Sequence, residues 1–247
     1  MEARETAPCE QGSRKIQLPY LNSFDTIWEY EKSFFSGQIN FFSYLGPTCP
    51  ICHKPNCYRA ITPYFRNAID LLPKVKKDRV PIARFLCTNR KRTFSLLPIQ
   101  LIPYVQYTVA AVIGTLLLGY GCYQRGERGF WGAVLAVDEV DPDSLLCPYL
   151  IICWLNLVTH GLRRAHEVLG RFYDLSDVRT SPSTRAWDEV GSYFFAFHWN
   201  QEIRWGPLLH RLLYRYSHNT MYFVFGIPSQ HRTSISRSIL TPWEVRQ

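Results

Sequence analysis

Acidic residues are nearly missing from one stretch of this chain. Between Lys54 and Arg92, eleven lysines and arginines stand against only Asp70 and Asp78, while the whole 247-residue protein carries a net charge of +8. The basic excess is therefore local, and the rest of the chain is close to neutral. A charge run is most often a solvated surface. One that lies between cysteine-containing motifs more often faces phosphates, which makes double-stranded DNA the expected partner. The residues expected to touch it are Lys74, Lys76, Lys77, Arg79, Arg84, Arg90, Lys91 and Arg92.

Other absences narrow the choice of chemistry. The sequence has no phosphate-loop pattern, no nucleophile-elbow glycines and no His-Glu-x-x-His, and its seven histidines are scattered singly. A metal-dependent recombinase would need three carboxylates around two ions. Asp138, after the apolar run "AVLAV", is the one acid that fits a first position, and Asp188 and Glu202 are unconvincing followers. An enzyme is the less expected reading. No internal repeat and no low-complexity tract is present. Met1–Arg14 is polar and carries Glu2, Glu5 and Glu10, unlike a secretory signal. Eight unevenly spaced cysteines do not suggest a disulfide framework, so a reducing, cytoplasmic setting is expected.

Charge of either sign is missing from Thr93 to Gln124. Val105–Tyr123 and Ser144–Leu162 are each about as long as a membrane span, and a small two-span membrane protein with a basic cytosolic module is the rival reading. Against it stand Gly114, Gly119 and Gly121 in the first run, Pro148, Asn156 and His160 in the second, and a mean hydropathy of −0.15. Packed helices fit these runs better, over about 105–122, 130–139 and 144–157, with Asp143 or Ser144 capping the third. Two helices joined by a short turn on a supporting helix read as a helix-turn-helix. The third helix has no cation, but Arg163 and Arg164 just beyond it suit phosphate contact.

What is present is half of a familiar metal motif. "CPICH" holds Cys49 and Cys52 at knuckle spacing, and the proline favours the tight turn that aims amides at thiolates. "RFLCTNRKRTFSLLP", Arg84 to Pro98, brings Cys87 at the end of a strand-like run, then a basic turn. The stretches "NCYRAITPYFRN" and "DRVPIARFLC" both read as β, joined by "AIDLLPKVKK". Two strands with cysteine at one end frame a zinc ribbon, whose small sheet needs a tetrahedral metal for stability.

These residues resemble a group of bacterial transposon-associated proteins. Their pattern is an N-terminal zinc ribbon, then Arg-Phe-x-Cys-x-x-Cys-x-Arg-Thr-Phe-Ser-Leu-Leu-Pro, a second Leu-x-Pro-Tyr, and a helical DNA-binding region. Residues 49–107 carry the specific match, with a looser likeness through residue 175. The resemblance implies one zinc and DNA binding in a mobile-element context, with a transposase as a possible partner. Where the pattern has its fourth cysteine, this chain has Arg90, whose guanidinium has no lone pair for a metal. Cys57 or His53 completes the set with Cys49, Cys52 and Cys87, or water does, or the site has decayed.

The expected fold is therefore α+β and mostly α. An N-terminal tail and aromatic segment (1–46) precede a degenerate zinc-ribbon module (47–104), a helix-turn-helix-like module (105–175) and a C-terminal helical and aromatic region with a polar tail (176–247). In the last region, "PLLHRLLYRYSH" places Leu208, Leu209, Leu212, Leu213 and Tyr216 on one helix face, for docking onto the protein or for self-association.

Overall fold

The computed structural model describes residues 20–21, 24–139, 144, 146–178, 180, 184–199, 205–220 and 222–226. The polar termini, Asp143 and Glu202 lie outside the described residues. Residues 17–226 form one compact unit, and its fold is α+β.

The strands come first. β2 (Tyr58–Asp70), β3 (Lys76–Cys87) and β4 (Arg92–Pro98) form an antiparallel meander, and the short β1 (Tyr20–Leu21) adds in parallel beside β4. β2 and β3 extend further than their sequence signals and leave only residues 71–75 as the hairpin loop. Near its end, β3 alternates as a half-covered strand should: Phe85 and Cys87 are buried, Arg84 is exposed. β4 was legible only as an apolar run closed by proline. It becomes a strand because Thr93, Phe94, Ser95 and Leu96 meet Leu86, Phe85, Arg84 and Ala83 across the ladder.

Two helices fill the aromatic segment. α1 (Ile27–Phe35) starts at Thr26, whose hydroxyl accepts from the Glu29 amide, while the Glu29 carboxylate accepts from the Asp25 amide. The start is a Thr-x-x-Glu capping signal in which the carboxylate reaches one residue past the cap, to Asp25. α1 packs on the half of β3 that β4 does not reach. There the buried Tyr30 donates its hydroxyl to the Pro81 carbonyl at 2.6 Å. α2 (Phe41–Leu45) follows directly and runs into the first knuckle.

The helical region holds α3 (Val109–Gln124), α4 (Gly129–Asp138), α5 (Pro148–Leu169), α6 (Ala186–Ala196) and α7 (Trp205–Thr220). α3 starts later than its apolar run because Thr108 caps it, accepting from the Ala111 amide. α5 also starts later, with Pro148 in its first turn, and runs on to Leu169. Ser144 bonds Asp138 instead of capping α5. α5 is the central helix, packing against α3, α4, α6 and α7. α3 and α4 approach closely at Gly119, where an added Cβ would stand 3.0 Å from Ala133 Cβ and from the Gly129 carbonyl oxygen. Among the described residues, no helix is long and apolar enough to cross a membrane. The two apolar runs are spent inside the bundle, with Val112, Leu116, Trp154, Val158 and Leu162 in one buried cluster.

Two polar contacts tie the sheet to the bundle. Arg66 of β2 donates to the carbonyls of Ile102 and Val105, and Thr108 at the start of α3 bonds Asp70 at the end of β2 at 3.0 Å. Arg66 is thus an internal strut, and the exposed basic surface is built from the other cations.

Candidate metal centre and basic surface

The hairpin register assembles the cysteines. Tyr58 and Cys87 are cross-strand partners, so Cys57, one residue before β2, lies beside the end of β3. Its carbonyl accepts from both the amide and the hydroxyl of Thr88, at 2.7 and 2.8 Å. The knuckle folds onto the same end. The Cys49 amide donates to the Lys54 carbonyl, and the His53 amide to the Cys49 carbonyl. As a result the sulfurs of Cys49, Cys52, Cys57 and Cys87 all lie within 4.8 Å of one another. Among the described residues this is the one group of three or more such side chains placed to share a metal ion.

Cys57 completes the set, and His53 does not join it. His53 occupies a left-handed turn position with φ 58° and is exposed. The Arg90 amide, three residues after Cys87, donates to Cys87 Sγ at 3.4 Å, and the Ile51 amide, two residues after Cys49, donates to Cys49 Sγ at 3.4 Å. An amide contributes that bond whatever its side chain, so arginine is accepted once another sulfur takes the fourth corner.

The donor set fits a tetrahedral metal. Sulfurs about 2.3 Å from a central ion stand about 3.8 Å apart. Cys52 and Cys57 are 2.9 Å apart and would open slightly around an ion. In the thiol form, the Cys57 hydrogen bond brings Cys52 down to about 6. The bond to Cys52, then burial, push Cys57 up, and burial pushes Cys49 up. Cys52 is thus the sulfur of the four that most favours the thiolate form, and binding of a metal ion by the set would displace the protons held on the buried sulfurs.

The structure separates the expected DNA-contacting residues into three groups. Arg90 and Lys91 on the β3–β4 turn and Arg92 at the start of β4 are exposed beside the cysteines, with Arg84 on the neighbouring sheet face, where it donates to the Thr93 hydroxyl at 3.3 Å. Lys74, Lys76, Lys77 and Arg79 are exposed at the other end of β3, where about 3.3 Å per residue puts Arg79 about 26 Å and Lys76 about 36 Å from Cys87. There Lys76 sits 3.7 Å above the Trp28 ring, and the Arg79 guanidinium lies 5.9 Å from the Phe65 ring.

Arg163 and Arg164 form the third group and are already engaged. Arg163 grips the fully buried Glu189 of α6 with two hydrogen bonds. Arg164 donates to the carbonyls of Gly226 and Val224. Arg163 ties α5 to α6 and Arg164 ties α5 to the segment after α7, so both are left out of the basic surface. Sequence reading had no means to find Glu189 as a partner, since it lies 26 residues from Arg163 on another helix.

Among the described residues, Asp138 and Asp188 belong to no group of side chains placed to share a metal ion. Asp138 accepts from the Ser144 hydroxyl at 2.7 Å, and Asp188 accepts from the Tyr123 hydroxyl at 2.9 Å. No known protein family, curated protein or solved structure compared with this chain matches it.

Proposed function

We propose that residues 47–104 are a zinc-stapled module that grips the phosphate backbone of DNA. The carrying observation is four convergent sulfurs directly beside an exposed Arg90–Lys91–Arg92 turn. A tetrahedral set of four thiolates suits zinc or an iron–sulfur centre, and knuckle amides aimed at sulfur suit a single structural zinc. The metal fixes the turn, and the turn presents its cations as a rigid group. A second contact at Lys74, Lys77 and Arg79 would meet phosphates about one helical turn further along a duplex. A transposition setting, with a transposase or a second copy as partner, rests on the resemblance of residues 49–107.

The helix-turn-helix reading is not carried into this proposal. The outward side of α5 bears Tyr149, Ile152, Asn156 and His160 before the engaged Arg164, which leaves it without a cation for phosphate.

Metal analysis of the purified chain, paired with binding to labelled duplex across a salt series, tests the proposal. About one zinc per chain is expected, with affinity falling by roughly 0.9 log units per log unit of salt for each phosphate neutralised. Replacing Lys91 and Arg92 with alanine should weaken binding to all sequences alike and flatten the slope by up to about two units. A coloured, iron-containing protein would replace zinc in the account. Binding indifferent to salt, or none at low salt, would leave the turn as ordinary solvated surface.

A further inference from the structure

The metal-bearing end of the sheet also presents an aromatic ring that the protein leaves half open. Phe42 of α2 stacks on Tyr58 with centroids 5.9 Å apart and planes 22° apart. Tyr58 in turn meets Phe85 and Phe94 edge-on, and those two stack on each other at 20°. The cluster is buried at Phe85 and Phe94, and Phe42, which also meets Phe85 edge-on at 5.9 Å, stands at its rim with 51% of its surface exposed. A large apolar ring left open at the end of a stack is a surface on which another flat ring can add.

Its surroundings select the kind of ring. Cys87 has Tyr58 as its partner on one side and Arg92 on the other, so the cation and the ring under Phe42 share one row of the sheet. Adjacent strands stand about 4.8 Å apart, which puts the Arg92 and Tyr58 backbones about 10 Å from each other. Arg90 and Lys91 extend the cations beyond Arg92, and His53 and Lys54 of the knuckle are exposed at the same end. Flat rings linked by negative charges at short intervals are what an unpaired nucleic acid strand offers. Duplex DNA keeps its bases stacked on one another and offers only its backbone to such a site.

The platform is also held still. The Tyr58 hydroxyl donates to the Gly46 carbonyl at the end of α2, and the Asn56 amide donates to the Pro47 carbonyl. Only residues 46–48 separate α2 from Cys49, so the position of Phe42 depends on the knuckle. A fixed ring loses little conformational freedom when a base adds to it.

Resting on the nucleic-acid reading above, we infer that Phe42 is a stacking platform for a base of an unpaired strand. Arg92 and Lys91 hold the adjoining phosphates. The module thereby favours single-stranded or junction DNA over closed duplex.

The test compares the full-length, metal-loaded protein on a labelled oligothymidine of about 16 nucleotides and on a blunt duplex of the same length. Phe42→Ala should weaken oligothymidine binding about tenfold and leave duplex binding within about twofold of the parent. Phe42→Leu keeps an apolar side chain without the π face and should lose as much, whereas Phe42→Trp should restore binding. Metal content and circular dichroism of each variant show whether the fold is kept. Replacing Lys91 and Arg92 with alanine should weaken both ligands. If the parent binds duplex but Phe42→Leu leaves oligothymidine binding unchanged, the stacking inference is overturned and the phosphate reading stands. Equal losses on both ligands overturn it as well. If neither ligand binds at low salt, the nucleic-acid reading fails and takes this inference with it.

Discussion

The helical bundle hides its apolar side chains in one continuous cluster that draws on all five helices α3 to α7 and on Leu71, Ile99 and Ile102 from the sheet side. The sheet has a smaller cluster, largely aromatic at its far end, which stops at four thiols. Each region therefore meets the entropy cost of folding with different material. The bundle relies on buried area, at about 25 cal/mol per Å². The end of the sheet has less to bury, and there four sulfurs close enough to share a metal ion gather from three places along the chain, where a bound ion would act as a cross-link. The polar groups follow the same division. In the bundle, Arg163 is turned inward onto Glu189, while at the metal end Arg90, Lys91 and Arg92 are left to solvent. The difference teaches that an arginine's role depends on what the fold has already placed within its reach.

The largest expected effect tests the metal side. Cys87→Ser should abolish metal retention and cost about 3 kcal/mol or more. Hydrogen exchange should rise across β2, β3 and the knuckle while α5 stays protected. Equal loss of protection in α5 would show that the two regions do not differ in what stabilises them. Next, Arg163→Ala should cost about 3–5 kcal/mol in denaturant unfolding, because it strands a buried carboxylate. Duplex affinity should not change, in contrast to the paired Lys91 and Arg92 replacement, which should alter affinity and leave stability within about 0.5 kcal/mol. Reversal of that pattern would exchange the roles assigned to the two groups.

Close packing in the bundle gives a smaller effect. A Cβ at Gly191 would stand 2.2 Å from the Tyr120 ring. Gly191→Ala should therefore cost about 1–3 kcal/mol by overpacking and leave metal content at about one per chain. The smallest effect lies on the sheet side. Thr26→Ala removes the hydroxyl that accepts from the Glu29 amide and should cost about 1 kcal/mol, read as a lowered thermal midpoint.

Much of the local structure was legible because its causes are local. The β character of residues 56–67 and 78–87 follows from branched and aromatic residues between turn formers. The amphipathic face of α7 was marked by Leu209, Leu212, Leu213 and Tyr216, which are buried. α1 is marked in the sequence by Thr26 and Glu29, whose spacing is a capping signal. The fourth sulfur was only half legible. Sequence left Cys57 and His53 both open, because proximity in number says nothing about which way a side chain leaves a turn.

The sequence by itself determined that a knuckle with a basic turn would be built here, since Cys49, Pro50, Cys52 and Cys87 carry their own turn geometry and the charge is fixed by composition. The tertiary structure alone decided three further matters. Cross-strand pairing of Tyr58 with Cys87 brought Cys57 into the sulfur cluster, helix packing turned Arg163 onto Glu189, and the stacking of Phe42 on Tyr58 left it half exposed at the end of the sheet that carries Arg92. Each depends on residues far apart in the chain, whose approach is set by the shape of the buried core, and no local pattern encodes that shape.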